Sequence, residues 1–236
     1  MNPTIRSRGY LPHWECDHAI YFVTFRLADS LPQALLARLR QERAMLDRAR
    51  SAAFQAASSS SLSSPAGETP ALQADRNRAR RLRAILQKAE QCLDGGLGEC
   101  HMRNFRIAKI VADTLQHFHG QRYELMTWCV MPNHVHVIFS PLGEHTLETI
   151  LHAWKSYSAH EANILLGRTG HFWQREYFDH IVRNGRSLQK ITRYVLENPQ
   201  KAGLQDWPWV STAVSGSAGF QPAPHSERRQ DGSATK

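Results

Sequence analysis

Four stretches of the chain carry the alternating or aromatic-rich pattern that is typical of β-strands. In the first of them, Tyr21, Val23 and Phe25 share one face, because side chains two apart in a strand point the same way. A short segment around Pro132 separates the second stretch from the third. The four stretches are residues 19–27, 123–130, 134–139 and 171–182. The pattern predicts four strands, with a turn or a bulge between the second and the third.

Between these strands, apolar residues recur at the spacing that is typical of amphipathic helices. Ser30 and Pro32 form a start signal for the first helix, and Asn198-Pro199 ends the last one. The predicted helices are residues 33–48, 76–93, 105–118, 146–166 and 187–197. If an insertion at about residues 49–100 is removed and the helices flanking it are merged into one crossover, the order is β-α-β-β-α-β plus a C-terminal helix. This order predicts an α+β, ferredoxin-like (split βαβ) fold: an antiparallel sheet with helices on one face, plus a C-terminal helix bearing Tyr194.

Two segments have a composition that does not support a packed core. Residues 51–71 are rich in serine and alanine, and residues 211–236 are rich in serine, glycine and proline. Between the first of these and the next strand lies a strongly basic helical pattern. We therefore predict one domain over residues 1–210, interrupted by a flexible and basic helical insertion at about 49–100. A disordered tail at 211–236 would follow it.

The formal charge of +8 and the pI of about 9.6 favour a polyanionic partner, with nucleic acid ahead of a membrane surface. The four cysteines form no C-x-x-C pair, which argues against a zinc ribbon or a redox motif. The sequence contains no recognisable signal peptide, transmembrane run or lipidation motif. The expected location is therefore the cytoplasm, with no membrane partner.

Candidate chemistry lies on the third predicted strand and on the last helix. His134 and His136 are two apart, so their imidazoles stand side by side and offer two ligands to a metal. Two histidines on a solvent-facing strand remain the simpler explanation of this pair alone. Tyr194 and Asn198 share one face of the last helix, which offers an oxygen ligand and a reacting hydroxyl. A tyrosine with a pKa near 10 is a weak nucleophile without help, and a divalent cation can polarise a phosphodiester.

An ordered set of motifs extends this picture. His134-Val135-His136 resembles the HUH motif (histidine–hydrophobic–histidine) of the single-tyrosine transposases. Together with Met131-Pro132-Asn133 before it, Phe172-Trp173-Gln174, and Tyr194 followed by Glu197-Asn198-Pro199, it is similar to the REP-associated tyrosine transposases of the IS200/IS605-like group. The resemblance covers roughly residues 10–210, apart from the insertion.

The resemblance implies a ferredoxin-like catalytic domain that cuts single-stranded DNA beside a hairpin with Mg²⁺ or Mn²⁺. It implies that His134 and His136 bind the metal and that Tyr194 is the nucleophile, which leaves a 5′-phosphotyrosine and a free 3′-OH. Asn198 matches the position of a third metal ligand, where the family often has the longer glutamine. The implied partner is single-stranded or hairpin DNA, and the protein would be a monomer or a homodimer.

Several assignments remain open from the residues alone. Tyr177, in the last predicted strand, competes with Tyr194 for the role of nucleophile. Cationic side chains would contact phosphates, and an aromatic side chain would stack on a base. The predicted DNA-binding residues are Lys155, Trp173, Arg175, Arg183, Lys190 and Arg193.

Two functions from other classes also remain. The first is a non-catalytic single-stranded nucleic-acid binder on a ferredoxin-like sheet, although the chain lacks the aromatic consensus of RNA-recognition motifs. The second is a metal-dependent phosphodiesterase that uses water. Only the tyrosine mechanism requires Tyr194 and a covalent intermediate.

Overall fold

The structure is a computed structural model that describes residues 4–8, 11–15, 19–42, 44–45, 48, 80, 84–85 and 87–212. The strands are β1 (Thr4–Arg8), β2 (Leu11–Glu15), β3 (Tyr21–Leu27), β4 (Tyr123–Val130), β5 (His134–Pro141), β6 (Trp173–Ile181) and β7 (Val210–Thr212). The helices are α1 (33–42) and α2 (87–94), then a 3-10 turn (His101–Arg103), α3 (Phe105–Gln116), α4 (Leu147–Leu166) and α5 (Gly185–Lys201). Within the described residues, no helix is both long enough and apolar enough to span a membrane.

The main sheet has the strand order β6-β3-β5-β4-β7, and all of its neighbouring strands are antiparallel. Its first four strands in the chain, β3 to β6, are arranged as a split βαβ sheet requires, which confirms the predicted ferredoxin-like fold. The short strand β7 adds a fifth member by pairing Thr212 with Thr127. Ser211 and Thr212, which were predicted to lie in the disordered tail, belong to β7 instead. A strand of three residues is too short for periodicity to detect.

One face of the sheet is an apolar core beneath α3 and α4. Val135, Val137 and Phe139 of β5 point into it and are fully buried, as is Trp154 of α4 at 2% exposure. The polar groups in this core have partners: the Trp154 indole donates to the Tyr123 hydroxyl at 2.9 Å, and that hydroxyl donates to a backbone carbonyl of α3. Each such side chain contributes about 1.5–3 kcal/mol by burial, so this face supplies most of the stability.

The opposite face lies beneath α5. Val195 is completely buried there and packs against Phe22, Cys129 and Ile138. Asn184 caps the helix by accepting a hydrogen bond from the backbone of Ser187. The predicted C-terminal helix is therefore present, on the face opposite to α3 and α4. By strand alternation, His134 and His136 point to this same face.

The predicted crossover merged the helix at 33–48 with the helix at 105–118, but only α3 covers the core. The helices α1 and α2 lie apart from it. They pack against each other in a separate cluster that also contacts Phe178 of β6. Helical periodicity shows that a helix has an apolar face but not which surface covers it, so the packing partner of α1 could not be predicted. The predicted flexible segment at 51–71 and the tail from residue 213 onward lie outside the described residues.

Candidate active site

His134 and His136 form the centre of a polar site beneath α5. Both side chains are buried, with exposures of 0% and 1%, and their Nε2 atoms are 3.0 Å apart. The strand β5 holds them rigidly, since it pairs with β3 on one side and β4 on the other. Val135 and Val137 anchor the opposite side of the same strand in the apolar core. The pair is therefore a buried, preorganised site, and the simpler explanation of two solvent-facing histidines is wrong.

Each imidazole has a partner for its other nitrogen. His134 Nδ1 lies 2.7 Å from Asn133 Oδ1, and His136 Nδ1 lies 2.8 Å from the Thr24 hydroxyl. Such contacts orient the rings and leave the two Nε2 atoms directed at a common point. Burial lowers the pKa of His136 to about 3 and, with the charges of His136 and Arg26, lowers the pKa of His134 well below its ordinary value. Both rings are therefore neutral at pH 7, which is the state that binds a metal.

A carboxylate that the sequence analysis missed completes this cluster. Asp94, at the end of α2, places Oδ1 3.9 Å from His134 Nε2. The ligand atoms of Asp94, His134 and His136 all lie within 4.8 Å of one another. Burial raises the pKa of Asp94, while interactions with Asn198 and Lys201 lower it. Because Asp94 falls inside the predicted insertion, far from the histidines along the chain, nothing in the sequence connected it to them.

The helix α5 adds Tyr194 and Asn198 to the same site. The ring centroid of Tyr194 is 5.2 Å from that of His136, and Asn198 is 1% exposed. The Asn198 side chain interacts with both Tyr194 and Asp94, lowering the pKa of each. The structure thus brings together the four residues that the sequence analysis selected for catalysis and metal binding, and it adds Asp94 to them.

The Tyr194 hydroxyl is in an environment that disfavours its ionised form. Burial raises its pKa, and the neighbouring carboxylates Glu90 and Asp94 raise it further. The hydroxyl is therefore protonated at pH 7. It becomes a competent nucleophile only when positive charge is added to the site or its proton is removed during attack.

The donor atoms of this site fit a divalent cation. Asp94 Oδ1, the Tyr194 hydroxyl and Asn198 Oδ1 are buried without a hydrogen-bond partner among the described residues. Each such atom costs about 1–3 kcal/mol when it stays unpaired, and a divalent cation beside the two imidazoles would give all three a partner. Two nitrogens at about 2.1 Å from one ion and at right angles to each other are about 3.0 Å apart, which matches the Nε2 separation.

Tyr177, the rival candidate, lies on the other face of the sheet. It pairs with Phe25 of β3 and packs against the apolar core beneath α4. The Lys155 amine is 5.8 Å from the centre of its ring. This position separates Tyr177 from the histidine pair by the thickness of the sheet, and the geometry favours Tyr194.

The predicted DNA contacts of Trp173 and Lys155 do not agree with the structure. Trp173 is 5% exposed, packs on Phe25 and donates to the Ser158 hydroxyl at 2.9 Å, so the prediction that it stacks on a base is wrong. The Lys155 amine donates to the carbonyls of Gln174 and Arg175, each at 2.8 Å, and burial lowers its pKa to about 8. It joins α4 to β6 and is not a free cation for phosphate.

The other predicted contacts are exposed cations. Arg175 lies on β6, Arg183 follows it, and Lys190 and Arg193 lie on α5. Exposure leaves their guanidinium and ammonium groups accessible to a phosphate backbone. Their contacts with DNA stay a prediction.

The comparisons with known proteins all find similarity to transposases. Residues 101–198 match the family model described as "Transposase IS200 like". The REP-associated tyrosine transposase of Escherichia coli (strain K12) is 25% identical over 105 residues, which are 42% of this chain and 61% of that protein. A relative from Haemophilus influenzae is 24% identical over 125 residues, which are 47% of this chain and 68% of the relative.

Among solved structures, a REP-associated tyrosine transposase bound to a REP hairpin has a TM-score of 0.45 and 14% identity, over 84% of this chain and 79% of that one. The match to the E. coli protein spans less than two thirds of its length. The family-matched region contains His134, His136, Tyr194 and Asn198. These matches confirm the resemblance inferred from the sequence: residues 101–198 of this chain match the model of the IS200-like transposase family.

Proposed function

We propose that this protein nicks single-stranded DNA at hairpin-forming repeats and transfers the strand through a 5′-phosphotyrosine intermediate, in a metal-dependent reaction. The observation that carries the proposal is the position of Tyr194, whose ring lies 5.2 Å from that of His136 on the same face of the sheet. A tyrosine hydroxyl, two neutral imidazoles and buried unpaired oxygens lie together in one site. The match of residues 101–198 to the family model supports a transposase activity.

His134 and His136 would hold the metal through Nε2, with oxygen ligands from Asp94 and Asn198. When bound, a divalent cation such as Mg²⁺ or Mn²⁺ supplies the positive charge that polarises the scissile phosphodiester. The buried position of the imidazoles keeps them uncharged at pH 7, so that each ring has one nitrogen lone pair to offer a metal. The rigid strand β5 keeps the two nitrogens in place throughout the reaction.

Tyr194 would attack the phosphorus atom through its hydroxyl oxygen. The new Tyr194 Oη–P bond forms as the bond from phosphorus to the 3′ oxygen breaks, and the tyrosine proton is lost while the departing oxygen gains one. The products are a 5′-phosphotyrosine and a free 3′-OH. Because one phosphodiester replaces another, a second 3′-OH can reverse the step without an external energy source. The exposed residues Arg175, Arg183, Lys190 and Arg193 would contact the phosphates of the bound strand.

A water-using phosphodiesterase is the second candidate. The observation that favours it is the raised pKa of Tyr194, which burial and the carboxylates Glu90 and Asp94 produce together. A phenol that ionises with difficulty is a poorer nucleophile, whereas the histidine pair serves either reaction. The two candidates differ in whether DNA becomes covalently attached to the protein.

A cleavage assay separates them. Hairpin-tailed single-stranded DNA labelled at its 3′ end is incubated with Mn²⁺ and the wild type, Tyr194→Phe or Tyr177→Phe, and the products are separated in SDS. We expect label to migrate with the wild type and with Tyr177→Phe, and we expect neither cutting nor adduct with Tyr194→Phe. If Tyr194→Phe still cuts without forming an adduct, water is the nucleophile and the tyrosine mechanism is wrong. If Tyr177→Phe alone loses the adduct, the nucleophile is Tyr177.

A further inference from the structure

The segment that carries Asp94 is tied to His134 by one buried side chain, Asn133. This residue has 0% exposure and both ends of its amide are hydrogen-bonded. Its Nδ2 donates to the Leu97 carbonyl at 2.8 Å, and its Oδ1 lies 2.7 Å from His134 Nδ1. The amide of Asn133 thus links the loop that follows α2 to His134, the first histidine of β5.

The orientation of this amide determines the protonation of His134. A backbone carbonyl only accepts hydrogen bonds, so the group facing Leu97 must be the NH₂ of Asn133. The group facing His134 is then the amide oxygen, which also only accepts. His134 Nδ1 must therefore carry the proton, and Nε2 is left with the lone pair that a metal requires.

The hydrogen bond from Asn133 to the Leu97 carbonyl also fixes the loop between Asp94 and the 3-10 turn. A second hydrogen bond holds the same loop. The backbone N–H of Glu99 donates to Asp29 Oδ2 at 2.7 Å. Gly98 has φ +89, and a Cβ there would lie 2.9 Å from the backbone oxygen of Asp29, so only glycine fits. With Leu97 and Glu99 held, the two residues between Asp94 and Leu97 leave the carboxylate little freedom to move away from His134.

We propose that Asn133 is a positioning residue that couples the two parts of the metal site, by fixing the tautomer of His134 and by anchoring the loop that carries Asp94. The identification of this cluster as a metal site rests on the proposed function. The two contacts of the Asn133 amide, however, are present in the protein without metal. This coupling makes the end of the predicted insertion an integral part of the site. Thr24 differs from Asn133, because its hydroxyl can donate to or accept from His136 and so fixes no tautomer.

The test uses full-length protein without metal or DNA. Imidazole ¹⁵N spectra report which nitrogen of His134 is protonated, and amide hydrogen exchange of Glu99 reports the loop. The variants are Asn133→Ala, which removes both contacts, and Asn133→Asp, which keeps an acceptor for His134 but loses the donor to Leu97. Thr24→Val is the matched control, since it removes the corresponding partner of His136 without touching the loop.

We expect the wild type to show a proton on His134 Nδ1 and slow exchange at Glu99. Asn133→Asp should keep the tautomer but exchange Glu99 at least about tenfold faster, and Asn133→Ala should lose both features. Thr24→Val should change neither. Unchanged exchange in Asn133→Asp, or a wild-type His134 without a proton on Nδ1, would overturn the proposal. The exchange of Glu99 in Asn133→Asp can be measured even if Asn133→Ala does not fold.

A second measurement links the coupling to the metal. Mn²⁺ titrated into the metal-free protein should bind about 10–100-fold more weakly to Asn133→Ala than to the wild type, as is usual when a partner of a ligating histidine is lost. Equal affinities in the two proteins would contradict the coupling. Failure of the wild type itself to bind Mn²⁺ would instead overturn the proposed function, while the metal-free spectra would still decide the role of Asn133.

Discussion

The two faces of the sheet differ in whether their buried polar groups are paired. Beneath α3 and α4, apolar side chains fill the space, and the buried Trp154 and Trp173 indoles both donate hydrogen bonds. Beneath α5 and the end of α2, three of the five buried side-chain oxygens that lack a partner among the described residues belong to Asp94, Tyr194 and Asn198. The first face stabilises the fold, whereas the second keeps polar groups unpaired at a cost in stability, which is typical of a binding site.

The largest effect should come from removing one of the two imidazoles on the sheet face beneath α5. His134→Ala should reduce DNA cleavage by about 1,000-fold or more, because a metal that polarises a phosphoryl group contributes several kcal/mol to the transition state. Cleavage rates of labelled hairpin DNA in Mn²⁺ measure this effect. His145→Ala, at an exposed position, is the matched control and should cleave as the wild type does. Equal rates for His134→Ala and His145→Ala would show that the pair has no catalytic role.

A truncation on the core face should have the converse effect. Trp154→Ala removes a large buried side chain and should lower the free energy of unfolding by about 3–5 kcal/mol. Denaturant unfolding followed by circular dichroism measures the loss. At a temperature where the variant remains folded, its cleavage rate should stay within a few-fold of the wild type. A variant that is stable but inactive would show that the two faces are not functionally separate.

The pH dependence of stability should reveal the neutral histidines. The pKa of His136 is lowered from 6.5 to about 3 in the folded protein, so the unfolded chain binds the extra proton as the pH falls below 6.5. The contribution of His136 to stability is therefore intact above pH 6.5 and is lost progressively below it, by about 2 kcal/mol at pH 5. The carboxylates Glu90 and Asp94 have raised pKa values and act in the opposite direction.

The variant His136→Asn isolates this contribution, since it removes the titrating ring and leaves the carboxylates in place. Unfolding free energies of the two metal-free proteins are compared between pH 7 and pH 5. The wild type should lose about 2 kcal/mol more than the variant over this range. Parallel curves would show that His136 is already solvated or charged in the folded protein.

The smallest effect is expected at the carboxylate from α2. Asp94→Asn keeps the shape of the side chain but removes its charge, and it should weaken Mn²⁺ binding by about tenfold, or about 1.4 kcal/mol. Calorimetric titration of the metal-free protein provides the measurement. Asp113→Asn, on the exposed side of α3, is a suitable control, because Asp113 pairs there with the exposed Lys109. Unchanged affinity in Asp94→Asn would remove Asp94 from the metal site.

The sequence predicted the site residues that lie close to each other along the chain. His134 and His136 share a face because a strand repeats every two residues, and Tyr194 and Asn198 do so because a helix brings i and i+4 together. Asp94 could not be found in this way, since its approach to His134 depends on how α2 packs. The prediction for Trp173 was wrong for a related reason, because periodicity groups residues by face without saying which face is covered.

The fold shows the same limit. The order of strands and helices, together with the rules for antiparallel connections, was sufficient to predict the ferredoxin-like sheet. It was not sufficient to predict that α1 packs with α2 in a separate cluster, while α3 alone serves as the predicted crossover over the core. Periodicity predicts elements and the faces they bury, whereas their partners are set by tertiary packing that no local pattern contains.

The most direct test of the central claim is to locate the covalent bond by mass spectrometry. Wild-type protein is incubated with hairpin-tailed single-stranded DNA and Mn²⁺, trimmed with nuclease and digested with trypsin. Tyr194 and Tyr177 then fall in different peptides, residues 194–201 and 176–183. The account predicts a nucleotide attached to Tyr194 in the first peptide. A nucleotide on Tyr177, or cut DNA with no modified peptide, would contradict it.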